Sequence, residues 1–227
     1  MVLANPTRTT INDDCYNENG PDCALLKNSG EPEHPTIKSF QSLVGSLLWV
    51  TRCTHPNITF AGHKDTRRSH ELRKQDWKLA KKISWYLAGS KKMRLKMRSS
   101  TKGDNGITLE SCSDADFAAD KNERKSLTGA MVLLNGMPIS WSSKKQGSIS
   151  LSTMEGEFVA ASEMDRDLLE IRDLLMELGL APNLPVKIRV DNQAATRQNK
   201  GEASSLRANH IDVSLKFVNK YARRGIL

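Results

Sequence analysis

Three carboxylates stand where divalent-metal chemistry would want them. Asp114 closes an alternating stretch in Ser-Cys-Ser-Asp-Ala-Asp-Phe (111–117), Glu157 lies in Ser-Thr-Met-Glu-Gly-Glu-Phe (152–158) at the start of a long helical pattern, and Asp191 follows the apolar run Val-Lys-Ile-Arg-Val (186–190). Two strand ends and a helix start, each offering an acid, can converge on one site. Mg²⁺ takes hard oxygen ligands and keeps several waters, and two such ions can activate a water and stabilise the leaving oxygen of a phosphodiester. Clustered carboxylates repel one another, so the arrangement is costly without the cation. Taken singly, each acid is more often a solvated or capping residue, and Asp191 before Asn192 also fits a helix N-cap. The four cysteines (Cys15, Cys23, Cys53, Cys112) form no Cys-x-x-Cys pair, which argues against zinc. Cys112, inside a strand pattern, is expected to be a small buried hydrophobe.

The elements that must hold these acids are legible in the periodicity. Residues 107–114 alternate as a strand, Ser126–Leu134 and Pro138–Lys145 flank the hairpin signal Asn135-Gly136, and Thr153–Leu178 carries a helical stripe of Phe158, Ala161, Leu168, Ile171, Leu175 and Leu178, ended by Gly179. A short buried strand at Val186–Asp191 and helical patterns at 192–199 and 209–222 follow. The order β-β-β-α-β-α-α implies an α/β fold with a mixed sheet. Upstream, residues 1–35 read as a flexible arm rich in Asn, Asp, Pro and Gly. Residues 36–105 read as a helical unit: a helix at 36–53 capped by Thr36 with a stripe of Ile37, Phe40, Val44, Leu47 and Leu48, a short helix from Pro56, and a helix at 71–90. In the last, Leu72, Leu79, Ala80, Ile83 and Leu87 face one way, and Lys74, Lys78, Lys81 and Lys82 form a basic face. Trp85 and Trp141 are expected to pack in cores.

At 227 residues, with 38% hydrophobic residues and a net charge of +8, the chain has the size and charge of a globular protein compatible with a nucleic-acid partner. The Lys face at 74–82 could track a phosphate backbone, and an ordinary solvated helix face explains it equally well. No apolar stretch reaches the length of a membrane span. The first residues hold no signal-peptide core, so the sequence at face value points to cytoplasm or nucleus.

Five motifs in order carry a resemblance. Ser-Asp-Ala-Asp-Phe-Ala-Ala-Asp…Arg-Lys-Ser-Leu-Thr-Gly (113–129), Pro-Ile-Ser-Trp-Ser-Ser-Lys-Lys-Gln (138–146), Glu-Gly-Glu-Phe (155–158), Asp-Asn-Gln-Ala-Ala (191–195) and His-Ile-Asp (210–212) resemble the ribonuclease H domain of copia-type retrotransposon polyproteins. Residues 40–90, with Phe-Gln-Ser-Leu-Val-Gly-Ser-Leu-Leu-Trp (40–49) and Tyr-Leu-Ala-Gly-Ser (86–90), are similar to the helical region after the reverse transcriptase palm; no Tyr-x-Asp-Asp palm motif occurs. The resemblance implies a ribonuclease H-like fold over 106–227, preceded by the helical unit. It also implies Mg²⁺ bound by Asp114, Glu157 and Asp191, and an RNA–DNA hybrid as substrate.

The departures weaken that expectation of activity. The family's fourth acid lies on a final helix, after one more strand. The chain reaches Leu227 before either, so a fold lacking its last strand and helix, with a strongly reduced nuclease, is expected. Asp212 does not occupy the fourth acid's motif position, His210 reads as a helix-terminal hydrogen-bonding residue, and Lys216 stands where a His is common. Met154 and Gly156 replace the usual Thr and Ala, and Gly costs about 1 kcal/mol in a helix. His70-Glu71-Leu72-Arg73 resembles a degenerate Arg-x-Leu-Arg motif, and copia-like proteins catalogued as secreted RxLR effectors of downy mildews resemble this chain. That implies a further expectation: a repurposed protein, no longer a competent nuclease, secreted into a host plant cell and acting on a host protein to dampen defence. A non-functional element remnant is the third expectation.

Overall fold

Thr36 begins a helix as expected: its Oγ1 accepts the Ser39 backbone N–H at 3.1 Å and caps α1 (Ile37–Cys53). The computed structural model describes residues 24–25, 35–67, 69–98, 106–190 and 220–226. Asp191, Cys15, Cys23, His210, Asp212, Lys216, the helical pattern at 192–199 and most of the one at 209–222 lie outside the described residues. The chain divides into two compact units, Met1–Leu95 and Lys96–Leu227.

In the first unit α1 is followed by a 3₁₀ turn at Pro56–Ile58, α2 (Thr59–Thr66) and α3 (Lys74–Gly89). Their apolar faces meet in a core of Phe40, Val44, Leu47, Ile58, Ala61, Leu72, Leu79, Ala80 and Ile83. The ring of Trp77 packs edge-on against Phe40 with centroids 6.4 Å apart. Gly62 lets α2 approach α1, because a Cβ there would lie 3.0 Å from Thr51 Oγ1. Trp85 departs from expectation: it is exposed, since the buried stripe of α3 runs through Asp76, Leu79, Ala80 and Ile83 and position 85 falls outside it. Asp65 is buried in the same unit, and burial, with the nearby Asp76 charge, pushes its carboxyl up to about 8.

Among the described residues the second unit holds a mixed four-stranded sheet, β3-β2-β1-β4, with one long helix packed on it. β1 (Leu109–Asp116) and β2 (Leu127–Leu134) are antiparallel, β2 and β3 (Met137–Lys145) form the hairpin, and β4 (Lys187–Val190) lies parallel to β1. The Asn135-Gly136 turn has φ of 50° and 79°, the left-handed pair such a tight hairpin requires. Asn135 Oδ1 also accepts the Thr108 backbone N–H at 2.7 Å. Helix α4 (Thr153–Glu177) starts where Ser152 Oγ accepts the Glu155 N–H. It lays Met164, Leu168 and Leu175 on Leu109, Val132 and Val186.

Three expectations are corrected here. Leu178 is exposed at 65% rather than part of the buried stripe, because α4 ends at Glu177 and the chain turns at Gly179. Cys112 is half-buried, because the alternation of β1 gives the core positions to Leu109, Ser111 and Ser113. Trp141 is half-buried on β3, an outer strand among the described residues. The mixed α/β architecture stands as expected, with a topology consistent with a ribonuclease H-like fold.

Candidate functional site

Strand alternation decides where the first acid goes. In β1 the odd positions Leu109, Ser111 and Ser113 are buried, with Leu109 packed beneath α4. Glu110, Cys112, Asp114 and Asp116 take the other face. Asp114 is exposed near the C-terminal end of the strand, opposite Gly129 of β2. Gly129 contributes no side chain beside it, and a Cβ there would meet only the Asp114 carbonyl, at 4.0 Å, so the carboxylate has clearance on that side.

The parallel β1–β4 ladder pairs Glu110 with Lys187 and continues to Ser113 with Val190. It therefore stops one residue short of both Asp114 and Asp191; Asp191 itself is not among the described residues. On the same face Glu110 bonds Arg189 at 2.9 Å and lies 3.6 Å from Lys187, so this neighbouring acid is already engaged by two cations.

Glu157 comes to the same end of the sheet by a different route. The first turn of α4 is held against the start of β2: a Cβ on Gly156 would lie 3.3 Å from Ser126 Oγ, and Leu127, the next residue, pairs with Asp116 at the end of β1. Glu157 is half-buried, with its Oε2 atom shielded from solvent. The loop that follows Asp114 is braced too. Asp120 Oδ1 accepts the backbone N–H groups of Asn122 and Glu123 at 3.1 and 3.0 Å, and Lys145 approaches Asp120 Oδ2 at 3.3 Å. Burial pushes the Asp120 carboxyl up, but the Glu123 N–H and Lys145 outweigh it and hold it below the usual range.

The structure thus brings Asp114 and Glu157 to one end of one sheet. Among the described residues no group of three His, Cys, Asp or Glu side chains is close enough to hold a metal ion. The donor set suits Mg²⁺ in kind, since both described acids offer hard carboxylate oxygens and Asp114 faces solvent, leaving room for coordinated water.

The lineage is decided by the chain's relatives. The chain is 34% identical over 181 residues, 80% of its length, to the Retrovirus-related Pol polyprotein from transposon TNT 1-94 of Nicotiana tabacum. It is 31% identical over its whole length to the Pol polyprotein from transposon RE2 of Arabidopsis thaliana. The chain belongs to the copia-type retrotransposon Pol family. It spans 13% and 15% of the length of those two Pol relatives. A third relative, Secreted RxLR effector protein 161 of Plasmopara viticola, is 30% identical over 129 residues, 56% of this chain and 87% of that protein. No protein-family model matches the chain, and no solved structure matches it.

The remaining residues singled out in this copia Pol sequence lie in the first unit. His70–Arg73 is built into the start of α3: Leu72 is buried in the core at 4% exposure, and the Arg73 backbone N–H bonds Asp76 Oδ2 at 3.0 Å. Glu71 is exposed and lies 3.8 Å from Arg73. Lys74 and Lys78 are exposed on α3, Lys81 and Lys82 partly so, with the Lys81 ammonium 5.6 Å from the centre of the Trp77 ring. Among the described residues no helix is long and apolar enough to cross a membrane. Sequence reasoning missed the buried acids Asp65, Asp76 and Asp165, which a pattern of polar residues cannot separate from solvated ones. It also missed the bonds of Gln146, two of whose side-chain partners, Thr128 and Gly156, lie 18 and 10 residues away.

Proposed function

We propose that this copia Pol-derived chain carries a ribonuclease H-type site that binds Mg²⁺ and cleaves the RNA of an RNA–DNA hybrid. The observation that carries this reading is the arrival of Asp114 and Glu157, from β1 and from the first turn of α4, at the same end of the sheet. Asp191 follows the strand that runs beside β1 and would complete the set. These three carboxylates would hold the cation, which supplies an activated water and charge stabilisation at the phosphodiester. The Lys74, Lys78, Lys81 and Lys82 face would add sequence-independent attraction to a phosphate backbone.

The test gives purified protein a labelled RNA–DNA hybrid with Mg²⁺, beside Asp114→Asn. The expected outcome is metal-dependent cleavage that the variant abolishes. Cleavage that survives the substitution would show that another site, or a contaminant, is responsible.

A second reading is favoured by one observation, the coverage of 87% of the Plasmopara viticola protein named as an effector. In it the chain is a binding protein that acts in a plant cell and dampens defence or cell death. Expression in leaf tissue challenged with a cell-death elicitor tests it, and unchanged necrosis would sink it.

A further inference from the structure

One fully enclosed side chain ties together the elements that carry the two described acids. Gln146, the residue after β3, is 1% exposed. Its backbone N–H donates to the Ser126 carbonyl at 2.9 Å. Its side-chain amide Nε2 donates to Thr128 Oγ1 at 3.2 Å and to the Gly156 carbonyl at 2.9 Å, while Oε1 accepts the Ser150 hydroxyl at 3.0 Å. Thr128 is the β2 partner of Ala115, next to Asp114, and Gly156 is the residue before Glu157. A single amide therefore spans from the strand beside Asp114 to the helical turn that bears Glu157.

The absence of a side chain at Gly156 fits this role. The turn lies so close to β2 that a Cβ would stand 3.3 Å from Ser126 Oγ and 3.7 Å from Ser150 Oγ. Ser126 Oγ in turn accepts the Ala118 N–H at 3.1 Å, at the beginning of the loop after β1. Buried amides are costly to leave without partners, so each bond of this bridge resists displacement of the others.

We propose that Gln146 is a positioning residue: it sets the place of Glu157 relative to Asp114 by clamping the first turn of α4 to β2. The catalytic consequence rests on the proposed ribonuclease H-type site, while the clamping itself does not. Gln146→Met keeps the length and apolar bulk of the side chain and removes every bond of the amide. Thr128→Val and Ser150→Ala each remove one partner only, and they serve if the first variant fails to fold.

Two readouts are taken on the full chain. Amide hydrogen exchange in residues 153–158 is expected to rise at least about tenfold in Gln146→Met, and less in the single-partner variants. Unchanged exchange overturns the proposal whatever the metal does. Mn²⁺ affinity, measured by paramagnetic relaxation of water, is expected to fall about tenfold, in the range seen for residues that orient metal ligands. Excess Mn²⁺ should restore hybrid cleavage, because a misplaced ligand raises the metal requirement before it lowers the maximal rate. Faster exchange with unaltered Mn²⁺ affinity overturns the positioning role and leaves an ordinary packing residue. A wild-type chain with no Asp114-dependent Mn²⁺ binding refutes the proposed function instead, and the exchange result alone then decides whether Gln146 clamps the turn.

Discussion

Replacing Asp165 by Asn should make the second unit more stable at neutral and alkaline pH and leave it nearly unchanged in acid. Asp165 sits on α4 at 0% exposure with both carboxylate oxygens enclosed and lacking hydrogen-bond partners, and burial pushes its pKa from 3.8 up to about 7. The folded state therefore holds a proton that the unfolded chain releases at lower pH. The associated stability is fully present below the unfolded value near 3.8 and is lost as pH rises through about 7. At about 1.4 kcal/mol per pH unit over that interval, the loss totals about 4 kcal/mol. The Asn variant has no such proton to lose. Its stability relative to wild type should climb with that slope between about pH 4 and pH 7, then level off. The assay equilibrates both proteins in urea at a series of pH values and pulse-labels the amides of α4 with deuterium under one common condition, so that only the population unfolded at each pH is recorded. Parallel stability curves would refute the reasoning, and would mean that Asp165 is hydrated or paired in solution.

Three further substitutions probe the scaffold. Leu72→Ala in the core of the first unit should cost about 2–5 kcal/mol, read as a lower urea midpoint for that unit, whereas Glu71→Ala on the exposed side should change it by less than about 0.5 kcal/mol. Asn135→Ala should lower the midpoint of the second unit by about 1–2 kcal/mol, because it removes the bond to the Thr108 N–H and puts a β-carbon residue without a local hydrogen bond at φ 50°.

What could be read from sequence was whatever is encoded locally. The Thr36 cap, the Asn135-Gly136 turn, the start of α4 at Thr153 and the alternation of β1 all depend on residues a few positions apart, and each appears where the pattern put it. The same patterns failed at Trp85 and Leu178, because periodicity shows which face is apolar and not how far the opposing layer extends over it. Asp65 and Asp165 were invisible for a related reason: an acid within a polar stretch gives no sign of being enclosed. At the candidate site, the residue types at Asp114 and Glu157 were legible, but the bridge through Gln146 joins positions 128, 150 and 156 and needs the folded chain to be seen.

The start of α3 has a consequence for any receptor that would read residues 70–73 as a linear signal. An extended peptide groove needs those residues free, yet Leu72 belongs to the core and the Arg73 amide to Asp76. Recognition would have to wait for local opening, and the apparent affinity would fall by the fraction of molecules open at any instant. Each ~1.4 kcal/mol that closes this helix start weakens such a reader tenfold. In the folded chain the tetrad is thus closed to such a reader, and it opens to one only when the first unit is still unfolded or has been pulled apart.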